Sequence, residues 1–346
     1  HLGAPKAAKA LMFGDDMYIH LGPISFLNPY KIKELAENMF SIYQLLPSRQ
    51  YFQTIGTYIV DLIDRVFVPY DQIRQFLEGS VANHTGVPFL NAEQFHDSLD
   101  IFTPTSAKLY TIAGCKQPTV GRIIRRMGKP DEEEYWLKMA DGDGTVPLQS
   151  ADWSWVPPTG RFYETDTKHS RMPSAGGIRD VIVGLLTNTL DVNSLPTNIT
   201  QNISSCGLPH YKIISIHSPV DINVYDAAGN HVGIGADSSV EIGIEGAAYE
   251  NIGDNKFVIV PTDADESYTI RLDATATGTF SMRVAETVGE QTMNTVYYND
   301  ITGFGNIVRS NINAFGQVAR RARGVDRGAT GKQSAGRSHI SICRYR

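Results

Sequence analysis

The stretch that organises this sequence is "DGDGTVPLQSADW", Asp141 to Trp153, in which two aspartates and two glycines fill the first four positions. It fits a calcium loop, a tight turn or the acid of a catalytic triad. An EF-hand loop needs Asp or Asn at its third ligand position and a glutamate further on. Here Thr145 takes that position and no glutamate follows, so calcium is the least favoured of the three.

Two short strands and a helix are predicted around this stretch. The first strand is "KLYTIAG", Lys108 to Gly114, and the second is "GRFYETD", which begins at Gly160. The segment 176–190 has apolar residues at helical spacing. The order strand, loop, strand, loop, helix indicates the trailing edge of an α/β sheet.

A histidine follows Asp143 in the next predicted loop. His169 lies 26 residues after Asp143, in the loop after the second predicted strand. An acid on one loop and a histidine on the next follow the chain order Ser…Asp…His of the α/β-hydrolases. A lone histidine is by default structural or exposed, and its place after Asp143 favours a catalytic role.

Three further stretches carry a closer resemblance: "HLGAPKAAKALMFGDD" at the start, "MFSIYQLLPSRQYF" (39–52) and "LYTIAGCKQPT" (109–119). With the GDGTV-type turn and the later histidine, residues 1–190 resemble the α/β-hydrolases of the lecithin:cholesterol acyltransferase-like and lipase family.

The resemblance implies a serine esterase, lipase or acyltransferase acting on lipid-like acyl esters, with no metal or organic cofactor. It makes Asp143 the triad acid, with Asp141 as the second choice, and His169 the general base. It also implies that a helical block at about 14–105 is a lid over an acyl pocket. An inserted helical subdomain with no role in substrate access is the alternative.

The chain departs from this family at the nucleophile. The G-x-S-x-G elbow is absent: "GKQSAG" has the wrong spacing and "GRSHI" lacks the closing glycine. The family order places the serine before Asp143, and the chain opens without Met, as if inside a domain. We therefore expect an N-terminally truncated fragment that lacks the serine and the oxyanion hole and is inactive alone.

A second domain is predicted after a linker. Residues 191–209 are rich in Asn, Ser, Thr and Pro, which is typical of linkers. From about 210 to 300, short strands recur every ten residues or so, which predicts an all-β sandwich. In this domain Asp221, Asp226 and Asn230 could bind a carbohydrate or calcium, or serve only in β-turns.

The charge is unevenly distributed. Residues 1–300 carry 22 Lys and Arg against 36 Asp and Glu, a net charge of −14, which gives no reason to expect nucleic-acid binding. Residues 301–346 carry nine against one, a net charge of +8, and we expect a disordered basic tail. No apolar run approaches the ~20 residues of a membrane helix.

The cysteines and two glycosylation sequons bear on the cellular compartment of the protein. Cys115, Cys206 and Cys343 are sparse and odd in number, which argues against a disulfide framework, although one pair could form in an oxidising compartment. Asn198 and Asn202 lie in N-x-S/T sequons, whose use depends on the host. A β module after a hydrolase favours an extracellular or cell-surface protein by analogy.

The expected fold is thus the C-terminal portion of an α/β-hydrolase with a helical lid insertion, followed by an all-β sandwich. The expected function is ester hydrolysis or acyl transfer through an acyl-enzyme. The alternative is a non-catalytic binding or adhesion protein in which the β-sandwich, with a carbohydrate or cell-surface ligand, is the working module.

Overall fold

The structure is a computed structural model, in which the chain divides into two compact units, His1–Pro209 and His210–Arg346. Side chains are described only up to residue 298. The residues that the structure does not describe are 16–28, 82–85, 101–105, 129–132, 153–155, 218–219, 236–238, 263–266, 276–277, 304–309, 313–317, 321–338 and 342–346.

The described part of the first unit contains eight α-helices. They are α1 (Pro5–Phe13), α2 (Pro29–Asn38), α3 (Phe40–Gln44), α4 (Arg49–Thr54), α5 (Tyr70–Glu78), α6 (Val87–Asp100), α7 (Leu148–Asp152) and α8 (Gly176–Thr187). The apolar spacing of residues 31–46 predicts a single helix, but the structure has two helices there, because Met39 adopts an extended backbone between them. The apolar spacing continues across this break because both helices bury one face, through Ile32 on α2 and Tyr43 on α3.

The described strands of the first unit form two separate sheets. They are β1 (Ile59–Asp61), β2 (Val66–Phe67), β3 (Thr111–Gly114), β4 (Gln117–Met127), β5 (Glu133–Gly142), β6 (Arg161–Glu164) and β7 (Ile199–Thr200). One sheet has the order β2-β1-β4-β5 and the other β3-β6-β7.

The predicted α/β-hydrolase fold is wrong for the described residues. Such a fold needs a continuous, mostly parallel sheet, whereas the two parallel pairings of this unit, β1 with β4 and β3 with β6, belong to different sheets. The longest pairing of the unit is the antiparallel β4–β5 hairpin, which the sequence pattern did not predict. Apolar periodicity identifies strands but not their partners, so two correctly placed strands were assigned to a larger sheet that the described residues do not form.

The elements around Asp143 and His169 are fixed by two small apolar clusters. Phe162 on β6 packs with Ile178 and Val181 on α8 and with Ile199 on β7. Ala113 and Cys115 at the end of β3 pack with Leu148 and Tyr163. Burying such a side chain stabilises a fold by ~1.5–3 kcal/mol, so these clusters anchor the ends of β3 and β6.

The segment 191–209, predicted as a linker, belongs to the first unit. Its strand β7 pairs antiparallel with β6, and Cys206 is bonded to Cys115. Composition indicated an irregular segment, and the disulfide attaches that segment to the loop that follows β3.

The described part of the second unit consists chiefly of β-strands. They are β8 (His210–His217), β9 (Val220–Tyr225), β10 (His231–Ile234), β11 (Val240–Ile242), β12 (Ala248–Ile252), β13 (Asn255–Pro261), β14 (Thr269–Ala274), β15 (Gly278–Val288), β16 (Gln291–Gly303), β17 (Ser310–Ile312), β18 (Val318–Arg320) and β19 (His339–Ser341). Two antiparallel five-stranded sheets, β11-β10-β9-β14-β19 and β12-β13-β8-β15-β16, contribute to one core. That core joins Ile222 and Val224 of one sheet to Ile214 and Ile216 of the other.

The basic tail, 301–346, includes the end of β16 and the short strands β17, β18 and β19, and its other residues lie outside the described part of the chain. Among the described residues, no helix is both long enough and apolar enough to cross a bilayer.

Candidate active site

Asp143 lies at the start of a tight loop that we call the acid loop, residues 143–147. It directly follows the last residue of β5 and leads into α7, so "DGDGTVP" precedes a helix and not the strand that was expected. The Asp143 carboxylate accepts hydrogen bonds at Oδ1 from the backbone N–H groups of Thr145 (2.9 Å) and Val146 (2.8 Å). This is the local side-chain bonding that makes aspartate a turn residue. Asp143 therefore closes its own turn through Oδ1, and this leaves Oδ2 available to another partner.

Glycines permit this geometry. Gly144 has a φ of +90°, a conformation that side chains with a Cβ rarely adopt, and its N–H donates to the Thr119 hydroxyl (2.8 Å). Gly114, the last residue of β3, is in close contact with the acid loop, because a Cβ built on it would lie 2.6 Å from the Cβ of Asp143. Asp143 thus reaches the end of β3 only because residue 114 has no side chain.

His169 lies on the loop after β6, at the start of a 3₁₀ turn, His169–Ser174. Its backbone N–H donates to the Asp143 carbonyl (2.8 Å), and its Nδ1 lies 2.7 Å from Asp143 Oδ2. The structure therefore joins the two predicted residues twice, by backbone and by side chain. An ionised carboxylate only accepts hydrogen bonds, so this contact assigns the proton of a neutral His169 ring to Nδ1.

The two side chains differ in exposure. The Asp143 side chain is 6% exposed and the His169 side chain is 50% exposed. The hydrogen bond that His169 donates to Asp143 raises the pKa of His169, partial burial opposes this, and the negative charge of Asp143 adds to the increase. Lys6 lowers the pKa of His169 by a smaller amount. A buried acid thus orients and polarises a half-exposed imidazole.

The other ring nitrogen is available for chemistry. Among the described residues, the hydrogen bonds of His169 are made by its Nδ1 and its backbone N–H, and none is made by Nε2. A neutral imidazole with Nδ1 protonated carries its lone pair on Nε2, where it can accept a proton. This is the arrangement of the acid and base members of a triad.

Asp141, the second choice for the acid, has other partners. Its Oδ1 accepts from the N–H of Lys116 (2.6 Å) and its Oδ2 from the N–H of Gly207 (2.9 Å). These amides belong to the residues directly after Cys115 and Cys206, which form a disulfide. Ligand atoms of Cys115, Asp141 and Cys206 lie within 4.8 Å of one another, but the two sulfurs are bonded together and are not thiolates that could bind a metal.

Sequence reasoning missed the residues that hold the pair in place. No motif marks Thr119, and the sequence allowed one disulfide without showing that it joins Cys115 to Cys206. Gly114 ends a predicted strand, and its close contact with Asp143 could not be inferred from that position. Cys343 lies outside the described residues, as do Trp153 and Trp155.

The candidate ligand-binding residues of the second unit form hydrogen bonds and an ion pair within that unit. Asp226 accepts from the N–H groups of Ala228 (2.9 Å) and Asn230 (2.8 Å) and from the Asn230 side chain (2.7 Å). Asp221 forms an ion pair with Lys256 (2.8 Å). Asp226 and Asn230 therefore serve a β-turn, as one of the two interpretations expected.

Comparison of the chain with models of known protein families gives no match, and neither does comparison with curated proteins. The geometry of the Asp143–His169 pair is therefore the observation on which a function can be argued.

Proposed function

We propose that Asp143 and His169 are the acid and the general base of a serine esterase, lipase or acyltransferase that acts on lipid-like acyl esters. The observation that carries the proposal is the 2.7 Å contact between His169 Nδ1 and Asp143 Oδ2, made by a buried carboxylate and a half-exposed imidazole. The substrate class is proposed from the sequence stretches in residues 1–190 that resemble the lipase-like family, and not from the fold.

The pair would act at two points of the reaction. During attack on the ester carbonyl, Nε2 of His169 takes the proton of the nucleophile hydroxyl, and Asp143 stabilises the imidazolium that forms. His169 then gives this proton to the departing alcohol, which leaves an acyl-enzyme. Water or a second alcohol releases the acyl group with the same proton transfers in reverse. The proposal assigns the attacking hydroxyl to a serine outside the described residues.

The Cys115–Cys206 disulfide supports a location outside the cytosol. Disulfides persist in oxidising compartments and are rare where thiols are kept reduced. We therefore propose that the protein is secreted or attached to the cell surface.

The test is ester hydrolysis by the natural gene product that contains this chain, with p-nitrophenyl butyrate as substrate. His169→Ala and Asp143→Asn should each lower kcat by roughly 10³–10⁴-fold, because they remove the base or its orienting acid. His210→Ala and Asp191→Asn are matched controls at exposed positions and should leave the rate unchanged. Equal rates of hydrolysis in the parent and in the His169 and Asp143 variants would contradict the assignment of these residues. A parent with no hydrolysis above the uncatalysed rate would contradict the proposal and favour the non-catalytic binding protein.

A further inference from the structure

Two connections join residues 115–116 to residues 206–207, beside the acid loop. One is the Cys115–Cys206 disulfide, and the other is the Asp141 carboxylate, which bridges the N–H groups of Lys116 and Gly207. Each amide belongs to the residue that follows one of the cysteines. We call these two connections together the disulfide clamp.

The conformation at Lys116 is held by this clamp. Lys116 has a φ of +66°, in the left-handed region that non-glycine residues seldom occupy. Such a conformation costs energy and persists only where its surroundings fix it. The bonds on either side of Lys116, from Cys115 to Cys206 and from its own N–H to Asp141, supply that restraint.

The clamp adjoins Asp143 closely enough to control its position. Asp141 is separated from Asp143 only by Gly142, where a Cβ would lie 2.3 Å from the Val146 carbonyl oxygen. From the other side, Gly114, which directly precedes Cys115, touches Asp143. Gln117 also forms an isolated β-bridge with Asp143. We therefore expect a shift of the Cys115–Gln117 segment to move Asp143.

We propose that Asp141 and the Cys115–Cys206 disulfide are positioning residues that hold Asp143 at hydrogen-bonding distance from His169. This inference rests on the proposed function and deepens it, because it gives the two aspartates of "DGDG" separate tasks. Asp143 contacts the base, and Asp141 fixes the loop that presents Asp143. Opening the disulfide should weaken the Asp143–His169 contact, so the base strength of His169 depends on the oxidation state of the two cysteines.

The test is an NMR titration of the His169 ring in the full 346-residue chain, which requires no nucleophile. Asp143→Asn should lower the pKa of His169, because it removes the carboxylate that raises it. Asp141→Asn should reproduce a large part of this shift, since an asparagine side chain can accept only one of the two N–H bonds. Asp191→Asn is the matched control, because Asp191 also accepts a backbone N–H, from Asn193 (2.9 Å), within its own turn.

If Asp141→Asn does not fold, the same inference can be tested on the wild type after its disulfide has been reduced with a phosphine. The reduced protein, with its far-UV circular dichroism retained, should show the same downward shift in the titration of His169. In the ester assay, loss of the clamp should lower kcat on the order of 10²-fold with little change in KM, as expected for a misplaced catalytic group.

The outcomes separate the two proposals. If Asp143→Asn moves the titration of His169 while Asp141→Asn and reduction do not, the clamp inference is overturned and the catalytic pair stands. If Asp143→Asn leaves the titration unchanged, the pair itself is wrong and the clamp has nothing to position.

Discussion

At the residue scale, the two aspartates of "DGDG" differ in what their oxygens contact. Asp143 shares its carboxylate between its own turn and His169, whereas Asp141 uses both oxygens on backbone amides of distant segments. The sequence was enough to predict that Asp143 and His169 would be partners. It was not enough to show the task of Asp141, because that depends on Lys116 and Gly207, which are 25 and 66 residues away.

The pair should make stability depend on pH. In the folded chain the pKa of His169 is raised above its ordinary value of 6.5. The resulting stabilisation is fully present below pH 6.5 and is lost as the pH rises through the folded pKa. The wild type should therefore exceed His169→Ala in free energy of unfolding by more at pH 6 than at pH 9, measured by urea denaturation. A difference that is equal at both pH values, or larger at pH 9, would contradict this.

Gly114 should tolerate no side chain. The Cβ of Gly114→Ala would meet the Cβ of Asp143 at 2.6 Å and the sulfur of Met172 at 3.1 Å. We expect the free energy of unfolding to fall by about 1–3 kcal/mol, as in other overpacked sites. Gly176→Ala is the control, because no atom lies within 4 Å of its Cβ, and it should be neutral or slightly stabilising. Equal unfolding midpoints for the two variants would show that the close contact is not real.

At the element scale, the sequence located individual elements better than their pairings. The strands at β3 and β6 and the helix at α8 were predicted near their observed bounds. The β4–β5 hairpin was not, because the alternation in "GRIIRRM" is interrupted by paired isoleucines and arginines. A strand's partners depend on contacts between residues far apart in the chain, and no local pattern encodes them.

Helix α8 offers a test of which face is buried. Val181 is fully buried against the cluster that holds β6, whereas Val183 is 58% exposed on the same helix. Val181→Ala should lower the free energy of unfolding by about 2 kcal/mol, through lost burial and a small cavity. Val183→Ala should change it by less than about 0.5 kcal/mol. Because both substitutions bring the same gain in helix propensity, equal effects would place α8 in the wrong orientation.

At the scale of the whole molecule, the chain consists of two units. The described part of the first contains both helices and strands, and that of the second chiefly strands. The candidate site lies in the first unit. The boundary after Pro209 follows the change from irregular sequence to strands of period two. The disulfide, which the sequence left open, joins two cysteines of the first unit that are 91 positions apart in the chain.

Reduction should therefore destabilise the first unit. Releasing a long loop increases the entropy of the unfolded chain, and we expect a loss on the order of 2–5 kcal/mol. All three tryptophans of the chain, Trp136, Trp153 and Trp155, belong to this unit, so tryptophan fluorescence during urea denaturation reports its unfolding. A Cys115→Ser/Cys206→Ser variant should have the same urea midpoint as the reduced protein, and the reductant should not change that midpoint. If the reductant does not shift the urea midpoint of the wild type, the stabilising role of the Cys115–Cys206 disulfide is contradicted.

The claim that His169 is a base oriented by Asp143 is tested most directly by the tautomer of its ring. In ¹⁵N NMR spectra at a pH well above the pKa of His169, the neutral ring should carry its proton on Nδ1 and leave Nε2 unprotonated, because Nδ1 donates to Asp143. Asp143→Asn should weaken or abolish this preference. A wild-type ring with its proton on Nε2 would have no lone pair to accept a nucleophile's proton there, and would contradict the account.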